Sequence, residues 1–178
     1  MQRNFIITGT SGTGKTSLIE YLRDRGYPVN EEPIRNVLQT QMAHNGEALP
    51  AKNPRLFLQT LFQLCIRQLE AASVHDGTVF FDRGLPDLLA YAQRFEVTPL
   101  PFELQPYLRR YQPTVFFLEP WPDIFVADAF RGSSFEQYAA FHQRIVEAYA
   151  QCGFEKVVVP FDTLENRAQF VLSQIEER

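Results

Sequence analysis

Short, nearly continuous apolar runs recur along the chain at Asn4 to Thr8, Tyr27 to Glu31, Thr78 to Asp82, Thr114 to Glu119 and Lys156 to Pro160. All but the second are apolar almost throughout, the pattern of strands covered on both faces. Between them lie longer segments with helical periodicity and marked ends. Asn53 before Pro54 offers an N-cap and a first-turn proline for a helix running to about His75, with Gly77 just beyond. Ser133 with Glu136, and Asp162 with Glu165, have capping-box spacing. Gly26 and Gly153 stand where the first and sixth helices should stop. Strands alternating with helices pair in parallel through right-handed crossovers, so the pattern predicts a three-layer α/β domain.

Within the first strand-to-helix junction, Gly9-Thr10-Ser11-Gly12-Thr13-Gly14-Lys15-Thr16 matches GxxxxGK[ST] in full. It follows the strand Phe5 to Thr8 and opens the helical pattern Ser17 to Arg25, the setting that a phosphate-binding loop requires. Glycines let the loop curl until successive N–H groups converge on phosphate oxygens, and the helix points the positive end of its dipole at the same anion. Lys15 is expected to bridge the β- and γ-phosphates, Thr16 to offer its hydroxyl to Mg²⁺, and the loop through Ser17 to bind the nucleotide.

Three further positions carry candidate chemistry. Asp82 ends the apolar run Thr78 to Asp82 and is the candidate carboxylate on the Mg²⁺ side, acting through water; the competing role is a helix N-cap before Pro86. Arg83 follows, placed to reach substrate or phosphate, or to form a surface ion pair with Asp87. Glu32 precedes Pro33 at the end of the second strand, the carboxyl edge where open α/β sheets bind ligands. A carboxylate there can accept a proton from an attacking hydroxyl, and its neighbour Glu31 is an alternative for that role.

Composition narrows the classes of function. The 178 residues are 45% apolar and 21% charged, with a net charge of −4. A chain of this length buries roughly 70% of its unfolded surface, enough for one domain without disulfides or a structural metal. Cys65 and Cys152 are outside any CxxC pair and read as small core thiols, so a reducing, cytoplasmic compartment is the expectation. The N-terminal apolar run is too short for a signal peptide, and no stretch approaches the roughly 18 apolar residues of a membrane span. Acidic residues outnumber basic ones, 21 to 17, and no basic run exceeds the pair Arg109 and Arg110, so nucleic-acid and membrane partners are disfavoured. Of the basic residues 14 are Arg, which suits bidentate phosphate recognition. Most of the 16 Phe read as core, while Trp121 and Phe161 fall past strand ends, where a purine or substrate ring can rest as readily as a packing partner. His44, His75 and His142 stand singly, without metal-ligand spacing, and receive no catalytic role.

The phosphate loop, Glu32-Pro33-Ile34-Arg35, Phe81-Asp82-Arg83-Gly84-Leu85-Pro86-Asp87, and the stretch from Leu118-Glu119-Pro120-Trp121 through Arg131 to Tyr149 resemble the NadR-like P-loop ATPase/kinase family. The resemblance runs from about residue 4 to residue 172. Glu32-Pro33 and Asp82-Arg83 are also similar to motifs of deoxynucleoside kinases, in which the glutamate is the base toward a sugar hydroxyl. Membership implies a five-stranded parallel sheet in the order 2-3-1-4-5 with a short lid at Trp121 to Ser134, and it makes Arg131 the phosphate-facing arginine of that lid. The family usually has Glu before that Arg; this chain has Phe130. No [NT]KxD element suits a signalling-type GTPase, though GTP stays open as ligand, and little chain follows the fifth strand to build the helical subdomain of a ring-forming AAA motor. The resulting expectation is a kinase that transfers the γ-phosphoryl of Mg-ATP to a nucleoside-like or sugar-like hydroxyl. A regulator that senses or hydrolyses NTP without a small-molecule acceptor is the alternative.

Overall fold

The computed structural model describes residues 2–124 and 134–176, so Arg131, Phe130 and most of the expected lid lie outside the described residues. The elements run β1 (Arg3–Thr8), α1 (Lys15–Asp24), β2 (Val29–Asn30), α2 (Pro33–Ala43), α3 (Pro54–Ala72), β3 (Thr78–Asp82), α4 (Asp87–Arg94), α5 (Gln105–Leu108), β4 (Thr114–Phe117), a 3₁₀ turn (Pro122–Ile124), α6 (Phe135–Gln151), β5 (Glu155–Val158) and α7 (Leu164–Glu176). All strand pairs are parallel, in the order β2-β3-β1-β4-β5. That is the nucleoside-kinase order expected above. It sets β1 at the centre, with Ile7 paired to Asp82 on one side and to Phe116 on the other.

Alternate residues of the central strands enter two cores. Ile6, Phe81, Val115 and Phe117 face a cluster with Phe57, Leu58, Leu61 and Cys65 of α3 and Ile145 and Tyr149 of α6. Phe5, Ile7, Phe80 and Phe116 face Leu18, Ile19 and Leu22 of α1 and Ala168 and Val171 of α7. Cys65 is the buried core thiol expected of it, and burial pushes it up to about 12. No described helix is long and apolar enough to cross a membrane.

The structure corrects several boundaries. β2 has two residues rather than five, because as an edge strand it is only half-buried and pairs with β3 alone. β5 is also an edge: Val158 is 43% exposed, so its apolar run is not covered on both faces. β4 stops at Phe117 and α3 at Ala72, short of Glu119 and His75. The capping box of α6 is Ser134 with Gln137, one residue beyond the predicted pair. At α7 Thr163, not Asp162, accepts the Asn166 N–H, while Asp162 accepts from the Asn166 side chain. Asn53 does cap α3, accepting from Leu56 N at 2.9 Å, and Gly26 and Gly153 follow their helices with φ of 89° and 80°.

Candidate active site

The phosphate loop leaves β1 where its backbone has no room for a side chain. A Cβ on Gly9 would stand 2.3 Å from Leu118 O, at a φ of 149°. Gly14, left-handed at φ 75°, turns the chain into α1, so Lys15 and Thr16 become the first residues of the helix. Thr10 and Thr13 are buried, and the Thr13 hydroxyl donates to Thr10 O at 3.0 Å, closing the loop on itself. Gly12, Thr16 and Ser17 stay exposed at its mouth, with Ser11 between them and the core.

Lys15 is buried and its Nζ stands 3.3 Å from Asp82 Oδ1. Asp82 is thus an ion-pair partner at the end of β3 and not the cap of α4, whose N-terminus is Pro86. Burial pushes the Asp82 carboxyl up, and Lys15 opposes that shift. The contact is too far off-line for a hydrogen bond, so Asp82 Oδ1 is a buried acceptor without a hydrogen-bond donor among the described residues. It lines one cleft with Thr16.

Arg83 takes a left-handed φ of 72°, uncommon for a side chain of its size, and is almost wholly buried. Its guanidinium joins two carboxylates: Nε donates to Glu32 Oε1 at 2.8 Å and Nη1 to Asp87 Oδ1 at 3.0 Å. The expected surface pair with Asp87 therefore exists, but as a buried one. Glu32 stands at the N-cap of α2 without making a capping bond, because its carboxylate is turned to Arg83. Glu31 instead is exposed and pairs with Arg23 at 3.0 Å. The sheet edge separates the two neighbours: Glu32 beside Arg83, Glu31 at the rim.

Asp87 anchors this arrangement. Its carboxylate also accepts from the Thr8 hydroxyl at 3.0 Å, from Gly84 N at 3.1 Å and from the Tyr149 hydroxyl at 2.6 Å. One buried charge thereby ties the end of β1, the turn after β3 and helix α6 together. Buried carboxylates persist where every lone pair is used in this way. The sequence shows Asp87 as a partner for Arg83 and as the end of the family-like Phe81-to-Asp87 run, and Tyr149 only as the end of the family-like stretch from Leu118, because their meeting depends on α6 packing over the sheet.

On the other flank of the loop, Trp121 and Phe161 stack on each other with centroids 5.0 Å apart, and Phe161 is 51% exposed. The Arg167 guanidinium lies 5.6 Å from the Trp121 ring and donates to Thr13 O at 3.0 Å, while its buried Nε has no partner among the described residues. Sequence reading missed Arg167. It belongs to no motif and reaches the loop only because α7 packs beside α1.

Solved structures share this fold at low identity. Deoxyadenosine kinase from M. mycoides with bound dATP is 17% identical with a TM-score of 0.68, covering 98% of this chain and 99% of that one. NadR protein in complex with NR is 21% identical with a TM-score of 0.65; 99% of this chain is covered, but it spans about half, 51%, of the NadR chain. YorR protein from Bacillus subtilis, in complex with phosphorylated GDP, is 15% identical with a TM-score of 0.58, covering 97% of this chain and 95% of that one. No curated protein matches the sequence. The parallel sheet in the order β2-β3-β1-β4-β5, with the glycine-rich loop at the end of its central strand, is the fold these structures share with this chain. A family match covers residues 4–167, nearly the whole fold just described, and by it the chain belongs to the AAA_28 family of AAA domains.

Proposed function

We propose that this protein is a small-molecule kinase that transfers the γ-phosphoryl of ATP to an acceptor hydroxyl. One observation carries the reading: Glu32, held by the buried Arg83, lines the same cleft as Thr16 and Asp82, so an acceptor-side carboxylate and the phosphate-side groups face one space. A regulator without an acceptor has no need of that carboxylate there.

In this reading the N–H groups from Gly9 to Thr16 and the Lys15 ammonium hold the phosphates, Lys15 leaving Asp82 to do so. ATP is the expected donor, with GTP open, and its base rests against the Trp121–Phe161 face. The residues present suit Mg²⁺: the Thr16 hydroxyl and the donor-free Asp82 Oδ1 share the cleft, and a hydrated cation accepts such a carboxylate through water. When bound, Mg²⁺ neutralises charge on the β- and γ-phosphates. Glu32 takes the proton of the acceptor hydroxyl as that oxygen forms a bond to the γ-phosphorus. The bond to the β–γ bridging oxygen breaks, and its electron pair leaves with ADP. Arg83 keeps the carboxylate aimed during this step, so most of the catalysis is positioning. Arg131, the expected lid arginine, lies outside the described residues and is assigned no step.

ADP release by wild type and Glu32→Gln, with and without candidate acceptors, tests the proposal. The variant is expected to lose on the order of 100-fold in acceptor-dependent turnover while its thermal-shift response to Mg-ATP persists. Equal acceptor-dependent rates would remove Glu32 from the mechanism. A wild type that no metabolite stimulates would favour the regulator.

A further inference from the structure

Helix α2 divides its faces between a neighbour and an open cleft. Ile34 and Val37 are buried in the cluster with Phe57, Leu58 and Leu61 of α3. Arg35, Asn36 and Gln39 occupy the opposite side of the helix and line a cleft of about 160 Å³, met from α1 by Ile19, Glu20 and Arg23. The cleft ends at Glu32, Asp82 and Thr16. It therefore lies between α1 and α2, and α3 contributes nothing to its lining.

The lining is chemically selective. Ile19 is its one apolar side chain, and no aromatic ring is among the residues that form it. A nucleobase gains about 1–3 kcal/mol from each aromatic face it stacks on, and sites for molecules of that size are typically about 300–1,000 Å³ and mostly apolar. The nearby aromatics are committed elsewhere: Phe57 packs on Phe95, Phe62 stacks on Phe102, and Tyr91 packs on Phe141. Hydrogen-bonding capacity, in contrast, is abundant. The side chains of Glu20, Arg35, Asn36 and Gln39 all face the cleft, and none is hydrogen-bonded or ion-paired to another described residue.

Charge adds a direction. Arg23 is matched by Glu31, Lys15 by Asp82, and Arg83 by Glu32 and Asp87. Arg35 on α2 and Glu20 on α1 are the charged groups of this lining with no oppositely charged partner among the described residues, and of the two it is Arg35 that shares a helix end with Glu32. It is in the first turn of α2, where free backbone N–H groups add positive potential. It follows Glu32 by three residues, about 4.5 Å of helical rise, so a single molecule of a few carbons can span from Arg35 to the proton-accepting carboxylate.

We infer that the phosphoryl acceptor is a small hydroxylated metabolite without an aromatic base, carrying a carboxylate or phosphate that binds Arg35. Its remaining hydroxyls meet Glu20, Asn36 and Gln39. The inference rests on the kinase reading above and narrows it.

Acceptor-dependent ADP release with Mg-ATP tests it in three arms: adenosine and cytidine; ribose and glucose; ribose 5-phosphate and gluconate. The last arm is expected to stimulate turnover, and its two members separate phosphate from carboxylate. Arg35→Gln, an exposed substitution that the fold should tolerate, is expected to raise KM at least tenfold for the stimulating anion. Stimulation by nucleosides alone would overturn the inference and leave the kinase standing. Equal stimulation by neutral and anionic sugars, or an unchanged KM in Arg35→Gln, would remove the anion from it. Stimulation in none of the arms would overturn the kinase reading itself, and this inference with it.

Discussion

The two flanks of the phosphate loop are built on opposite principles. On the flank toward α2, Asp87 takes hydrogen bonds from Thr8, Arg83, Gly84 and Tyr149, and Arg83 reaches on to Glu32; apart from Glu32 all of these groups are buried or nearly so. On the flank toward α7, Trp121 and Phe161 lean on one another, Phe161 half in solvent, and Arg167 ties them to the loop with one hydrogen bond and an Nε unpaired among the described residues. In the proposed function the first flank has to hold a proton acceptor at a fixed point, and its geometry is determined several times over. A surface that has only to present a flat face needs few contacts.

The largest effect should follow from breaking the saturated flank. Asp87→Asn leaves Arg83 buried with half its charge compensation, and loss of one partner of a buried pair costs about 3–5 kcal/mol. Urea unfolding should register that loss, and acceptor-dependent turnover should fall with it. Thr8→Val, which removes one neutral donor, should cost about 1 kcal/mol. Comparable costs for the two variants would mean that the charge is not the centre of the network.

His142 marks where saturation stops. It is buried on α6 against Phe117, and neither ring nitrogen has a partner among the described residues. Burial first, and Lys156 second, push its pKa down to about 4. The unfolded chain takes up this proton near pH 6.5, so the contribution to stability is complete above that pH and is lost as pH falls toward 4. The full loss is on the order of 3 kcal/mol. Chemical denaturation between pH 7 and 4 should show the slope, and His142→Phe should flatten it; an unchanged slope would assign acid sensitivity to other groups.

Lys15→Ala tests the loop between the flanks. Removing a charge-assisted phosphate contact costs roughly 1.5–3 kcal/mol, so calorimetry should find Mg-ATP binding weakened at least tenfold with the fold retained. Wild-type affinity would detach Lys15 from the phosphates.

The smallest effect belongs to the open flank. Trp121→Ala removes a ring pair worth about 0.5–1.5 kcal/mol. Melting temperature should hardly move, while KM for ATP rises several-fold. A stability loss near that of Asp87→Asn would erase the contrast between the flanks.

What the sequence determined by itself is local or periodic. A GxxxxGK[ST] run between a strand and a helix, apolar runs at the spacing of covered strands, and a carboxylate at the end of each of two strands are written in consecutive residues. These stand in the structure at Gly9–Thr16, at β1 and β3, and at Asp82, while Glu32 lies two residues past the end of β2, at the N-cap of α2. The length of β2 and the exposure of β5 differ from the expectation because apolar residues do not report how many neighbours a strand has. Only the tertiary structure decided that Arg83 would pair with both Glu32 and Asp87, that Tyr149 would complete the Asp87 site from α6, and that Arg167 would reach Thr13 from 154 positions away. It also decided that the cleft would open between α1 and α2, since Ile34 and Val37 turn one side of α2 onto α3 and leave Arg35, Asn36 and Gln39 facing the other way. Such pairings join segments whose separation in sequence carries no period, and they arise only when packing of the two cores fixes which helix faces meet.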